Sequence, residues 1–314
     1  MIEHIKIPDI LTTSVSRAVV SIGPVLLPAP GRGQDLTVRV SAPATGADLP
    51  VLLFSHGNGS SADAYGPLVH GWAAQGFVVV QPTHLDSRTL GLAPTDPRRP
   101  LLWRHRAQDL TRILDQLDQL AAAVPHLRGR LDLQRIAVAG HSWGGQTAGM
   151  LLGAQLPDPA SGAVVNLRDA RIKAGVLLAA PGRGGSDLNP ATAAQFPFLQ
   201  PDFAPMTPPT LVVVGDQDVS RMTTRGYDWR ADAYALSAGP KCLLTLFGAE
   251  HSLGGIAGYE SRETTDEHPA RVALLLQLTG AYLRSALFPD DPAWAQACAA
   301  LRAEPQPLGQ IDCK

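Results

Sequence analysis

Short, unbroken apolar runs recur along the chain, each bounded by glycine, proline or a polar turn. Val51–Phe54, Phe77–Val80, Arg135–Ala139, Ala174–Ala179, Thr210–Val214 and Lys241–Phe247 are of this kind. A strand covered on both faces reads as a continuous apolar run rather than as an alternation. Helical spacing lies between them. Tyr65–Gln75 predicts a helix, and Trp103–Val124 places Leu110, Ile113, Leu114, Leu117 and Leu120 three and four apart, with Pro125 just past the end. Gly144–Leu156 and a closing Arg271–Leu287 predict two more. Ahead of the first run, Ala18–Leu27 and Leu36–Ser41 predict two strands around the Pro28–Gly33 turn. Strands alternating with helices imply a mostly parallel sheet with helices on both faces. The expectation is a single α/β domain over residues 1–314, without internal repeats and with its core at about 35–290.

Two intervals break the pattern. Residues 181–209 are rich in proline and glycine, which interrupt helices, so no sizeable helical lid is expected there. Residues 252–269 form a long loop before the last helix, and Gly254, Gly255 and Gly258 could act as hinges for a moving cover.

Composition narrows the class. Lysine and arginine total 26 against 28 aspartate and glutamate, a net charge of −2. Phosphate backbones call for clustered positive charge, so no nucleic-acid partner is expected. Hydrophobic residues make up 45% and charged residues 17%, enough for a large core. No apolar run reaches the ~18 residues of a membrane span. Cys242, Cys298 and Cys313 are too few for a disulfide scaffold or a zinc site. Cys298 and Cys313 could pair; three reduced thiols are the favoured reading. Glu3, His4, Lys6 and Asp9 stand where a secretory leader would carry its apolar stretch, so a cytoplasmic location is expected.

The chemistry concentrates at strand ends. Gly140-His141-Ser142-Trp143-Gly144 fits G-x-S-x-G, directly after one predicted strand and before a helix. That context places a serine on a strained turn, with small residues two before and two after it to avoid clashes. A serine hydroxyl needs a base, and the base an orienting acid. The strand Thr210–Val214 runs into Gly215-Asp216-Gln217-Asp218, and Lys241–Phe247 runs into Gly248-Ala249-Glu250-His251. Asp218 is preferred as the acid, with Asp216 as a turn residue, and His268 is the one rival to His251. Ser55-His56-Gly57-Asn58-Gly59 follows Val51–Phe54. It matches a loop that lends one backbone N–H to an oxyanion hole, the other coming from the residue after the serine. The candidate donors are Asn58 and Trp143. No clustered metal ligands and no G-x-G-x-x-G in the right context are present, so no metal or cofactor is expected. His105 and Asp109, four apart on a helix, read as a solvated face.

These stretches together resemble the α/β-hydrolase superfamily over roughly residues 35 to 290. Within it, Phe54-Ser-His-Gly-Asn-Gly-Ser-Ser61, Gly76-Phe-Val-Val-Val80 and Gly140-His-Ser-Trp-Gly-Gly145 look most like the branch of dienelactone hydrolases, platelet-activating-factor acetylhydrolase-like enzymes and lidless polyester hydrolases. Two departures stand out. Dienelactone hydrolases use a cysteine nucleophile where this chain has Ser142. The platelet-activating-factor enzymes take their acid from the turn one strand earlier, which here reads Ala179-Ala180-Pro181-Gly182 without a carboxylate.

The resemblance implies an α/β-hydrolase fold and hydrolysis of a small or aromatic carboxylic ester through an acyl-enzyme. Ser142, His251 and Asp218 would be nucleophile, base and acid. A cutinase-like polyester hydrolase, an amidase with the same three residues, and a non-catalytic ligand-binding member of the fold are the alternatives. Labelling of Ser142 by a fluorophosphonate separates enzyme from binder, and matched ester and anilide substrates separate the two activities. Oligomeric state is not readable.

Overall fold

The computed structural model describes residues 17–258 and 264–314. The N-terminal leader reading, and residues 259–263 of the loop after His251, lie outside the described residues.

Along the chain come β1 (Val19–Leu27), β2 (Leu36–Pro43), β3 (Leu49–Ser55), α1 (Gly66–Ala74), β4 (Val78–Pro82), α2 (Leu102–Asp115), α3 (Leu117–Ala123) and β5 (Leu131–His141). Next are α4 (Trp143–Leu151), the small hairpin β6 (Leu156–Pro157) and β7 (Val164–Val165), β8 (Ile172–Leu178), α5 (Pro190–Gln195), β9 (Thr210–Gly215) and α6 (Asp232–Ala235). The chain ends with β10 (Lys241–Leu246), α7 (Pro269–Leu287), α8 (Ala293–Ala303) and β11 (Gly309–Cys313).

Nine strands form one sheet in the order β1-β2-β4-β3-β5-β8-β9-β10-β11. The six from β4 to β10 pair in parallel, as the apolar runs predict. The edges are antiparallel: β1 and β2 on one side and β11 on the other. Every residue of β3 is buried, and its side chains alternate between two cores. Val51 and Leu53 face α2, α3 and α4, and Leu52 and Phe54 face α1 and α7. This is the mostly parallel sheet with helices on both faces of the α/β-hydrolase fold, and α5, at six residues, is far from a helical lid.

The structure departs from the sequence pattern in four places. The helix read as Trp103–Val124 is two helices, broken at Gln116, whose backbone (φ −121°, ψ 19°) leaves helical geometry while its side-chain amide donates to Pro28 O at 3.0 Å. The helix read as Gly144–Leu156 stops at Leu151, because the chain turns at Gly153 (φ 114°) and sends Leu156 into a hairpin. α8 and β11, beyond the resemblance, were not anticipated.

The fourth concerns the cysteines. β11 lies antiparallel on β10 with Cys313 opposite Cys242, and these two form a disulfide. Cys298 is the free thiol, buried on α8. The readings of three reduced thiols and of a Cys298–Cys313 pair are therefore corrected. They failed because the pairing depends on an edge strand that the apolar pattern does not reveal. Disulfides persist in oxidising compartments, so the cysteines no longer support a cytoplasmic expectation.

The bridge closes a 71-residue span and ties the chain end to the sheet edge. Cys313→Ser, or reduction, should lower unfolding free energy by about 2–4 kcal/mol, whereas Cys298→Ser should leave its response to reductant unchanged. Denaturant melts with and without dithiothreitol test this; coincident curves for the oxidised and reduced wild type would refute it.

Candidate active site

β5 runs straight into α4, and Ser142 between them has φ 55° and ψ −121°. A residue with a Cβ held at positive φ costs of order 1–3 kcal/mol, so its surroundings must enforce the shape. The Ser142 amide donates to Leu178 O on β8 at 2.9 Å, and its carbonyl accepts from Gln146 N–H at 3.1 Å. The neighbours tolerate no side chain. A Cβ at Gly140 would lie 2.1 Å from Gly144 O, and one at Gly144 would lie 1.9 Å from Ser55 O. The glycines of G-x-S-x-G are thus a packing requirement between β3, β5 and α4.

The loops after β9 and β10 reach the same edge of the sheet. His251 Nε2 lies 3.0 Å from Ser142 Oγ, and His251 Nδ1 lies 2.9 Å from Asp218 Oδ2. The His251 side chain is 42% exposed while that of Asp218 is 2% exposed, so the imidazole can meet a solute and the carboxylate cannot. Asp216 does something else: its carboxylate accepts the Gly248 N–H at 2.8 Å and so ties the two loops together. His268, the rival histidine, caps α7 by accepting the Arg271 N–H.

Asp218 is gripped from behind. Arg230 Nε is 2.5 Å from its Oδ2, and Arg230 Nη1 donates to Ala179 O at 2.8 Å. Burial pushes the Asp218 carboxyl up, but the hydrogen bond from His251 and the charge of Arg230 outweigh it and hold the group below its ordinary value. The carboxylate is therefore ionised and able to keep the His251 proton on Nδ1.

The candidate oxyanion donors are the backbone amides of Trp143 and Asn58. Trp143 opens α4, where backbone N–H groups have no intrahelical acceptor. Asn58 is exposed on the loop after β3. A family model described as chlorophyllase matches residues 29–157, from the turn before β2 through α4, and so contains Asn58, Ser142 and Trp143 but stops short of Asp218 and His251. Taken with the mostly parallel sheet, this match fits the α/β-hydrolase superfamily. The chain has the α/β-hydrolase fold. No match is found among the curated proteins.

Several residues that hold this site together belong to no sequence motif. The His251 loop is pinned by Asp266, whose Oδ2 accepts Glu250 N–H at 2.8 Å and Gly254 N–H at 2.9 Å, and which pairs with Arg271. A buried chain of hydrogen bonds joins the other parts. Gly57 N–H donates to Tyr65 Oη at 3.0 Å, Tyr65 Oη is 2.9 Å from His141 Nδ1, and His141 Nε2 is 2.9 Å from His251 O. Burial lowers the His141 pKa to about 3, so the ring is neutral. A neutral ring whose Nε2–H donates to a carbonyl must accept the Tyr65 hydroxyl proton at Nδ1. Tyr65 itself sits at φ 66°, another strained residue beside the cleft.

Below the Asn58 loop lies a second hydroxyl–imidazole–carboxylate chain. Ser55 Oγ is 2.9 Å from His84 Nε2, and His84 Nδ1 is 3.0 Å from Asp109 Oδ2. These distances match those at Ser142, yet all three residues have no exposed surface. Their chain is an anchor, out of reach of any substrate. Asp109 is also clamped by Arg32 Nε at 2.7 Å. Its reading as part of a solvated helix face is corrected, because the face of α2 that carries Asp109 also carries Trp103, Leu110 and Ile113 and packs inward.

On the outer side, Trp143, Phe196 and Phe198 cluster with ring centroids 5.0 to 6.1 Å apart, and Phe198 stacks on Trp103. The segment expected to lack a lid thus supplies an aromatic wall next to Ser142. Trp229 is buried and donates to Arg183 O, a core role; Tyr227 is exposed. Among the described residues no group of three His, Cys, Asp or Glu could hold a metal ion, and no helix is long and apolar enough to cross a membrane.

His56, His84 and His141 are all buried, and burial depresses each below the ordinary imidazole range. Unfolding restores their affinity for protons, so the unfolded chain binds more protons between about pH 6.5 and the depressed folded values. Their stabilisation is complete above about pH 6.5 and is lost as pH falls through each ring's depressed folded value, about 3 for His141. Unfolding free energy should therefore drop through that window with a slope of order 1 kcal/mol per pH unit per histidine. Calorimetric melts from pH 7.5 to 4 measure it, and a flat profile would contradict the assignment of three neutral buried rings.

Proposed function

We propose that the protein is a serine carboxylic ester hydrolase that works through an acyl-enzyme. The reading is carried by one observation: the Ser142–His251–Asp218 hydrogen-bond chain, set at a strained strand-to-helix turn with its imidazole open to solvent. Ser142 Oγ attacks the ester carbonyl while His251 Nε2 takes its proton. The amides of Asn58 and Trp143 receive the negative charge that develops on the carbonyl oxygen. His251 then protonates the leaving alcohol, and a water deprotonated by the same nitrogen releases the acid. Asp218 keeps the ring in the tautomer that can accept at Nε2. The match to a chlorophyllase model over the half of the site that includes Ser142 supports ester chemistry in particular.

The Trp143–Phe196–Phe198 wall favours an apolar or aromatic acyl or alcohol group beside the serine. Aromatic diesters and polyesters, and chlorophyll itself, belong in the substrate panel next to simple p-nitrophenyl esters. Matched p-nitroanilides measure the amidase alternative.

Ser142→Ala should cut ester turnover by about 10⁶-fold, and Asp218→Asn by roughly 10⁴, since the amide favours the wrong imidazole tautomer. Asp216→Asn should cost far less, because its carboxylate only bridges two loops. Burst kinetics with p-nitrophenyl acetate, together with fluorophosphonate labelling, check all three. Substantial turnover by Ser142→Ala would eliminate the mechanism, and a reversed order of the two aspartates would move the acid.

A further inference from the structure

The loop that carries Asn58 is held by a buried ion pair that the reaction itself does not use. Arg106 on α2 and Asp86 after β4 meet as a fork, with Nε to Oδ1 at 3.0 Å and Nη2 to Oδ2 at 2.8 Å. Their side chains are 4% and 9% exposed. A buried pair is weak evidence of stability, because taking both charges out of water offsets most of their attraction. What the pair touches is more informative.

Arg106 Nη1 donates to His56 O at 2.8 Å, and Nη2 donates to Gly57 O at 3.2 Å. His56 Nδ1, 2.7 Å from Gly57 O, reinforces the second contact. On the far side of Asn58, the Asp86 carboxylate accepts the Gly59 N–H at 3.4 Å. The pair therefore brackets Asn58, with the cation on the carbonyl before it and the anion on the amide after it.

Peptide geometry turns this grip into a direction. In the trans peptide between Gly57 and Asn58, C=O and N–H point opposite ways in one plane. Anchoring the carbonyl inward on Arg106 and His56 leaves the Asn58 N–H facing outward, on the exposed side of the loop. A cationic donor on the carbonyl also polarises the amide and makes its N–H a stronger donor. Arginine suits the task because its fork serves the Asp86 carboxylate and two carbonyls at once, which a lysine ammonium cannot reproduce in the same plane.

We propose that Arg106, held by Asp86, is a positioning residue for the oxyanion site: it orients and polarises the Gly57–Asn58 peptide so that the Asn58 N–H meets the developing oxyanion. The role rests on the ester-hydrolase reading above. It acts on the transition state, since the ester's ground-state carbonyl needs the donor far less.

The test uses Arg106→Lys, which keeps the charge beside Asp86, and Arg106→Met/Asp86→Leu, which removes both charges together. Wild type and variants are titrated for active sites by the p-nitrophenyl acetate burst, and kcat is expressed per titrated site. Binding of an alkyl boronic acid, which forms a tetrahedral adduct on the serine, reads the oxyanion site directly. Removing one oxyanion donor outright costs about 10²–10³ in kcat, so misorienting one should cost roughly 10-fold or more. The expected result is that loss in kcat per site with KM within about 2-fold, an equal loss of boronate affinity, and an unshifted pH profile of kcat/KM. Wild-type kcat per site and boronate affinity overturn the proposal, even if the melting temperature or the titratable fraction falls. If the double variant does not fold, Arg106→Lys and His56→Gln decide by the same readouts. A wild type that neither labels at Ser142 nor binds boronate would instead defeat the esterase reading itself.

Discussion

The strained, positive-φ turn at Ser142 is the constraint on which the rest of the site depends. A side-chain-bearing residue is held there at φ 55° because β5 must end, α4 must begin and both must lie against β3 within a few ångströms. The Gly144 position almost touches Ser55 O, so α4 can approach the sheet only without a side chain there. That contact also brings the serine next to the loop after β3. Strain at the turn and closeness of the Asn58 loop are thus one packing event, and the parallel order β3-β5-β8-β9-β10 then delivers the acid and histidine loops to the same edge.

Loops built for reach rather than burial need support, and here each one has an arginine behind it. Arg106 and Asp86 hold the Asn58 loop, Arg230 holds Asp218, and Arg271 with Asp266 holds the His251 loop. In every case the guanidinium also donates to a main-chain carbonyl: Gly57, Ala179 and Phe247 respectively. A planar fork can bind a carboxylate and a backbone at once, which makes it suited to fixing a loop. The neutral Tyr65–His141 chain adds a cross-tie between the Asn58 and His251 loops.

Two hydroxyl–imidazole–carboxylate chains of nearly equal dimensions sit in this one molecule, and they differ in what surrounds them. The Ser55–His84–Asp109 chain is sealed, with burial and the neighbouring Arg106 both lowering the His84 pKa. The Ser142–His251–Asp218 chain has a half-open imidazole and a serine forced out of the sheet. Distances alone do not separate an anchor from a candidate active centre; exposure and backbone strain do.

Apolar runs and helical spacing along the chain were enough to place the central strands, the parallel sheet, and the strand ends where Ser142, Asp218 and His251 stand. These are local signals: a strand buried on both faces must be apolar throughout, and a G-x-S-x-G after it must turn sharply. Nothing local marks β11, whose Gly309–Cys313 is half polar because it is an edge strand, so the partner of Cys242 was unreadable. The same holds for Asp109, Arg106, Tyr65 and Asp266. Each looks like an ordinary polar residue until the fold puts it in a dry interior, where a buried donor or acceptor must find its partner or cost the chain its stability. By itself, therefore, the sequence determined the order of the elements and the residues able to do chemistry. Tertiary structure alone decided which polar side chains are buried together, because burial, and with it pairing and pKa, belongs to contacts between segments far apart in the chain.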